Sequence, residues 1–470
     1  MTAAPLPPTR TERDPLGEVA VPCSAYWGAH TARAMANFPL TGEAPSPALV
    51  AAMADVKAAA ARANEELGFL DPARAGAIAA ACGELASGTL AGEIVVDALQ
   101  GGAGTSLNMN VNEVIANRAE ELLGGARGEY ARVDPLAHVN LHQSTNDVFP
   151  TALKVAAIRL LRQLEPEIAA LQAAFQAAER RFSDVVKIGR TELQDACPMA
   201  YGAAFSAWAE AFSRDRWRVF KCEERLRVVN LGGTAIGTGI TAPRDYIFLA
   251  VEKLRSATGI GLARAENLVD ATQNADAFVE VSGILKAHAV NLLKVSSDLR
   301  LLSSGPRAGL GELRLPAVQA GSSIMPGKVN PVICEAAGQA AMLAIGNDAV
   351  VTLAASSGQL ELNAFLPLLA HALLQSLSVL RAACAMFRSR CVEGIEVDRE
   401  ACAAGVRRSW ATVTALVPAL GYARATEVAH AAAASGKPVA EIVVEQGLLD
   451  AATVERLLSA PAMTALGWRG

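Results

Sequence analysis

Residues 320–331 read Ala-Gly-Ser-Ser-Ile-Met-Pro-Gly-Lys-Val-Asn-Pro. Helix interiors reject that mixture, since Gly costs ~1 kcal/mol and Pro ~3 kcal/mol relative to Ala. The glycines let backbone approach a ligand closely. Ser322 and Ser323 offer a base or nucleophile and a donor, Lys328 is the strong cation, and Asn330 can both donate and accept. Such a set suits a small dicarboxylate or amino-acid substrate whose C–H bond must break. Taking a proton beside a carboxylate builds a dianionic enediolate, and a lysine with backbone N–H groups aimed at it is what the step requires.

Three further stretches share this character: Gly-Gly-Ala-Gly-Thr-Ser-Leu-Asn-Met-Asn (101–110), His-Gln-Ser-Thr-Asn-Asp-Val-Phe-Pro (142–150) and Gly-Arg-Thr-Glu-Leu-Gln-Asp (189–195). Each alone reads as a helix cap and a turn. Four together, crowded with small hydrogen-bonding side chains, point to one shared anion pocket.

The elements that must hold these loops are helices. Ala and Leu dominate, hydrophobic residues make up 52% and aromatics 5%, a balance that favours helix over strand. Leu161, Leu164, Ile168, Leu171, Phe175, Ala178 and Phe182 alternate spacings of three and four, as does the run Val281, Leu285, His288, Leu292, Val295, Leu299, Leu302. Both are bundle seams. Pro166 falls inside the first and should bend or restart it. A third apolar segment runs from Val332 to about Phe387. Helices of ~30 residues are unusual in monomeric globules, so the bundle is expected to pack on copies of itself as a homo-oligomer. Residues 1–15 read as a loose arm, and short elements begin near residue 398.

Other classes are excluded. The net charge of −5, with acids and bases interspersed, offers no nucleic-acid surface. No apolar run reaches the ~18 residues of a membrane span, and the N-terminus lacks a secretion signal. The eight scattered cysteines lack a C-x-x-C pair and read as reduced, buried thiols of a cytoplasmic protein. Six histidines show no metal spacing. No cofactor and no metal site are expected; activation by a divalent metal is not legible in the residues.

The 321–331 motif resembles the signature loop of the fumarase/aspartase superfamily, and the similarity runs from Pro15 to Leu458. The 101–110, 142–150 and 358–363 stretches look more like the aspartase branch than the class II fumarases. The resemblance implies an all-α fold with a central long-helix bundle forming a tetrameric helical core, and active sites built by three subunits. Three domains follow on this reading: an N-terminal helical domain 1–143, a central bundle 144–397 and a small C-terminal domain 398–470. It also implies roles. Ser322 inherits the base that takes the Cβ proton; its alkoxide must be stabilised by backbone N–H groups and Lys328. Lys328 and Asn330 match carboxylate-binding positions, and Ser323 and Met325 complete that loop. Thr105, Ser144, Thr145, Asn146 and Thr191 match substrate-binding positions. Glu335 matches a supporting carboxylate, or is a first-turn helix acid. His138 lies where fumarases have a secondary anion site and is read as surface; His142 adjoins the third loop; His288 is read as core.

Two positions depart from the family pattern. Glu192 stands among the catalytic set where Gln or His is usual, facing the leaving group. Ionised, it would attract a substrate ammonium by roughly 4 kcal/mol at 4 Å and an effective dielectric of 20; protonated, it is nearly isosteric with Gln. Leu141 replaces a basic residue. The expected activity is elimination of ammonia from L-aspartate to give fumarate. The alternatives are a lyase for an N-substituted aspartate, a class II fumarate hydratase, and a non-catalytic structural tetramer.

Overall fold

The computed structural model of the protein describes residues 8–468. The chain forms two compact units, each assembled from three stretches: Met1–Glu165, Trp217–Ala289 and Met342–Arg381 in one, Pro166–Arg216, Val290–Ala341 and Ala382–Gly470 in the other.

The first unit opens with a hairpin, β1 (Thr9–Asp14) antiparallel to β2 (Gly17–Pro22). The expected loose arm is therefore ordered from Thr9, while residues 1–7 lie outside the described part. Arg10 accounts for the order: its guanidinium donates to the carbonyls of Pro22, Ala25 and Trp27 and pairs with Glu12. Four helices follow: α1 (Ala29–Asn37), α2 (Pro47–Glu66), α3 (Pro72–Ala86) and α4 (Thr105–Leu122). Helix α4 is mostly buried, and its first two turns take in residues 105–110, which the sequence reads as loop.

Five long helices contribute a segment to each unit: α5 (Thr145–Arg181), α6 (Tyr201–Leu226), α9 (Asp276–Leu302), α10 (Val332–Ser356) and α11 (Leu366–Arg390). Between α6 and α9 lie α7 (Arg244–Thr258) and α8 (Leu268–Gln273). Both seams are inside: every member of the 161–182 and 281–302 runs is at most 8% exposed. Helix α5 does not restart at Pro166 but continues for 37 residues. Leu161, Leu164, Ile168, Leu171 and Phe175 are almost wholly buried; at ~1.5–3 kcal/mol each they outweigh the ~3 kcal/mol a helical proline costs. The third apolar segment divides into α10 and α11. Its second half, Leu366–Gly394, is long and apolar enough to cross a membrane, where the sequence reading finds no such run. Yet 56% of that window is buried inside the fold, as in a packed core helix.

Within the second unit, Phe175 stacks on Phe212 at 5.5 Å and meets Trp208 edge-on. A second hairpin, β3 (Val186–Thr191) antiparallel to β4 (Gln194–Ala200), interrupts the helices. The C-terminal stretch is a set of short helices around Leu416, Val428 and Val443, each fully buried. All eight cysteines are free thiols. Six are buried as expected, but Cys23 and Cys197 are exposed.

Candidate active site

In the first unit, two of the polar loops meet. Gly104 caps α4 with φ of 96°, and a Cβ there would collide with the Phe149 ring of α5. That close approach sets the start of α4 against the start of α5. Thr105 begins α4, with Oγ1 donating to Gly102 O at 2.7 Å. Asn108, one turn on, donates to Thr145 Oγ1 at 3.0 Å.

The 142–147 segment is held from below by a residue the sequence reading does not single out. The buried Asp147 carboxylate accepts from Ser144 N at one oxygen, and from Gly232 N and Thr234 N at the other, all at 3.0 Å. Burial pushes its pKa up to about 6, although those N–H groups and the nearby Lys57 pull the other way. Asn146 is fixed as well: its amide donates to Ala235 O at 2.7 Å, and its carbonyl accepts from Asn230. Ser144 Oγ accepts from Asn146 N at 3.2 Å.

Lys57, fully buried on α2, donates to Asn140 Oδ1 at 2.9 Å. Burial lowers its pKa to about 7, opposed by Asp147 and Cys82. Its only sequence signal is a lone lysine in an alanine-rich helix. Two histidines of this unit use their Nδ1 atoms within the fold. His142 has its Nδ1 2.7 Å from Asn64 Oδ1 and lies edge-on to Phe69 and Tyr246. His138 is half-buried rather than surface, its Nδ1 accepting from Asp134 N at 2.8 Å.

The second unit carries the remaining candidates. Thr191 and Gln194 close the hairpin, so Glu192 and Leu193 form its two-residue turn. Their φ angles are 54° and 64°. A turn with both central residues left-handed favours Asn and Gly, and each L side chain there costs roughly 1–2 kcal/mol. Such strain clusters at functional sites. Both tip residues are exposed. Below the tip, Arg190 and Lys187 pair with the buried Glu312, and Asp195 accepts from Ser409 Oγ at 2.7 Å.

The 320–331 loop is closed at its neck. Gly321 N donates to Lys328 O at 3.0 Å, and the Asn330 amide donates to Gly321 O at 2.5 Å. A Cβ on Gly321 would collide with Lys328 O. Ser322 Oγ accepts from Met325 N at 2.9 Å and Ile324 N at 3.2 Å. Those two N–H groups are the donors an alkoxide would need. Ser323, Met325 and Lys328 are exposed. Glu335, in the first turn of α10, is 3.7 Å from Arg300. Among the described residues, no group of three or more His, Cys, Asp or Glu side chains is placed to hold a metal.

Long helices with Ser-, Thr- and Asn-rich segments at their ends make up an all-α fold. Residues 17–346 match the lyase family and residues 413–465 the fumarase C C-terminus. The chain belongs to this family of lyases. It is 49% identical to the aspartate ammonia-lyase of Pseudomonas canavaninivorans over 459 residues, 97% of each protein. The Escherichia coli K12 aspartate ammonia-lyase is 45% identical over 453 residues, covering 96% of this chain and 95% of that one. Two solved structures share the fold. The fumarate lyase:delta crystallin of Brucella melitensis bound to cobalt has a TM-score of 0.94 at 50% identity, covering 97% of this chain and all of that one. The class II fumarase of Schistosoma mansoni has 0.92 at 34%, covering 96% and 98%.

Proposed function

We propose that the protein eliminates ammonia from L-aspartate, reversibly, to give fumarate. The observation that carries this is near-full-length identity of 42–49% to aspartate ammonia-lyases, with the Ser322 loop intact. Ser322 Oγ takes a Cβ proton, and the C–H electron pair moves into the adjacent carboxylate as an enediolate. Its return forms the Cα=Cβ bond as the Cα–N bond breaks and ammonia leaves. The Ile324 and Met325 N–H groups stabilise the serine alkoxide, and Lys328 with Asn330 stabilises the enediolate. Thr105, Ser144, Thr145, Asn146 and Thr191 bind the substrate, with Ser323 and Met325 flanking it; Glu335 acts at most as a support.

The active form is a homotetramer whose sites are completed by three subunits. Exposed apolar side chains on the bundle helices support this: Trp217 (64%) and Phe220 (56%) on α6, Val290 (52%) on α9, and Met342 (58%) and Leu353 (66%) on α10. No cofactor is needed for this chemistry, and the enzyme works in the cytoplasm. Glu192 favours a second reading, an amine larger than ammonia. Fumarate absorbance is followed with L-aspartate, L-malate or N-substituted aspartates as substrate. Fumarate from aspartate is expected; release from malate alone refutes the proposal, and release only from an N-substituted aspartate selects the second reading.

A further inference from the structure

In the first unit the buried Lys57, Asn108, Asn112 and Thr145, with the half-buried Asn140, form a chain of amide orientations that ends on Thr145. It starts at Lys57, whose ammonium can only donate. Its partner is Asn140 Oδ1, at 2.9 Å. The other end of that amide is fixed independently, since Asn140 Nδ2 donates to the Gln143 carbonyl at 3.2 Å. A backbone carbonyl can only accept, so this second constraint holds in either protonation state of Lys57. Asn140 therefore presents oxygen, and not nitrogen, to its neighbours.

Two neighbours face that oxygen. Asn108 Nδ2 lies 3.3 Å from it and Asn112 Nδ2 lies 3.2 Å from it. Turning the Asn108 amide over would set its oxygen against Asn140 Oδ1, two acceptors with no hydrogen between them. The network keeps the donors inward at a cost, because Asn108 Oδ1 and Asn112 Oδ1 are buried and find no partner among the described residues. Asn108 Nδ2 also donates to Thr145 Oγ1 at 3.0 Å. The Thr145 oxygen is thus an acceptor on its inner side, and its own hydrogen is left to point elsewhere. No hydrogen bond donated by that hydroxyl is present among the described residues.

We propose that Asn108 is a positioning residue: oriented by Lys57 through Asn140, it fixes the Thr145 hydroxyl as a donor toward a substrate carboxylate. A carboxylate has only acceptors, so a Thr145 hydroxyl that spent its hydrogen on Asn108 would meet the substrate oxygen against oxygen. The inference rests on the reading of Thr145 as a substrate-binding group.

Asn108→Asp is the nearest isostere that removes the donor. It offers Thr145 an acceptor and turns the hydroxyl inward. The KM for L-aspartate is expected to rise about tenfold or more, the scale of one hydrogen bond to a charged group, with kcat changed much less. In a Thr145→Val background, the same substitution should change kcat/KM less than about twofold, because the group it acts through is gone. Independent, multiplying losses in the double variant would mark Asn108 as merely structural and overturn the proposal. Melting temperatures of all four proteins separate a packing loss from a lost orientation.

Neutron diffraction from deuterium-exchanged wild-type crystals keeps the test independent of variant folding and of turnover. Deuterons on Asn108 Nδ2 directed at Thr145 Oγ1 are expected. A Thr145 deuteron directed at Asn108 overturns the inference whatever the kinetics. A Thr145→Val enzyme with unchanged KM for aspartate instead overturns the functional reading beneath it.

Discussion

The two groups of candidate residues are built in opposite ways. In the first unit, Thr145 and Asp147 are buried, and the segment is pinned by backbone N–H groups, amides and a lysine inside the fold. In the second, the 320–331 loop is largely exposed and is closed by two hydrogen bonds at its neck. The first group is preorganised by folding, which is what the proposed substrate-binding role requires. The second holds Ser322 and Lys328, the proposed base and cation, on a segment with little packing, the kind that opens at low free-energy cost.

The largest effect expected on this contrast comes from Ser322→Ala. Turnover should fall by about 10³-fold or more, with a melting temperature unchanged within about 1 °C, because the loop adds little to the core. An enzyme keeping a tenth of its activity would move the base elsewhere. Lys328→Ala should cost about 3 kcal/mol in kcat/KM. If KM alone rises while kcat stays at the wild-type value, Lys328 is a uniform binding group and stabilises no enediolate.

The same substitution made in both regions sharpens the comparison. Gly104→Ala drives a methyl into the Phe149 ring at a residue with φ of 96°, and should cost about 2–3 kcal/mol of stability by overpacking and backbone strain. Gly321→Ala drives a methyl into Lys328 O at the loop neck. It should reduce kcat strongly and leave the urea midpoint nearly unmoved. Equal stability losses would erase the distinction between the two regions.

Asp147 gives the buried region a pH signature. Its pKa is about 6 in the folded state against 3.8 unfolded, so between these values the folded chain binds a proton that the unfolded chain has lost. Stability from this group is full below about pH 4 and falls as pH rises through 6, by about 3 kcal/mol in all. Lys57, with a pKa near 7, stays charged across most of that window. In Asp147→Asn the fall should vanish, so the stability of wild type relative to the variant should shrink between pH 4 and 6.5. Parallel urea-denaturation profiles would refute the shift. The smallest effect is expected at the exposed hairpin tip. Glu192→Gln should keep aspartate turnover within about threefold, since it preserves shape; inactivity at every pH would require the charge and point to another amine.

Much of this was legible in the residues, and the limits follow a pattern. The seams at 161–182 and 281–302 show through because a helix repeats every 3.6 residues, and burial on one side leaves a period that one chain can display. The Ser322 loop shows through because Gly, Pro, Ser and Lys clustered between apolar helices have no packing role to play. The continuity of α5 through Pro166 could not be read locally, because the proline's cost is local while the burial that offsets it is gained from other helices. The hairpin at 186–200 was hidden because the stretch is short and its pairing is decided only once the chain turns at Glu192 and Leu193. Lys57, Asn108, Asn140 and Asp147 lie up to 90 positions apart and carry no shared spacing. Sequence alone determined which residues could do chemistry and that helices would carry them. Tertiary structure decided which of those residues are held, which are exposed, and which way an amide faces, because hydrogen-bond direction depends on partners that only folding brings into reach.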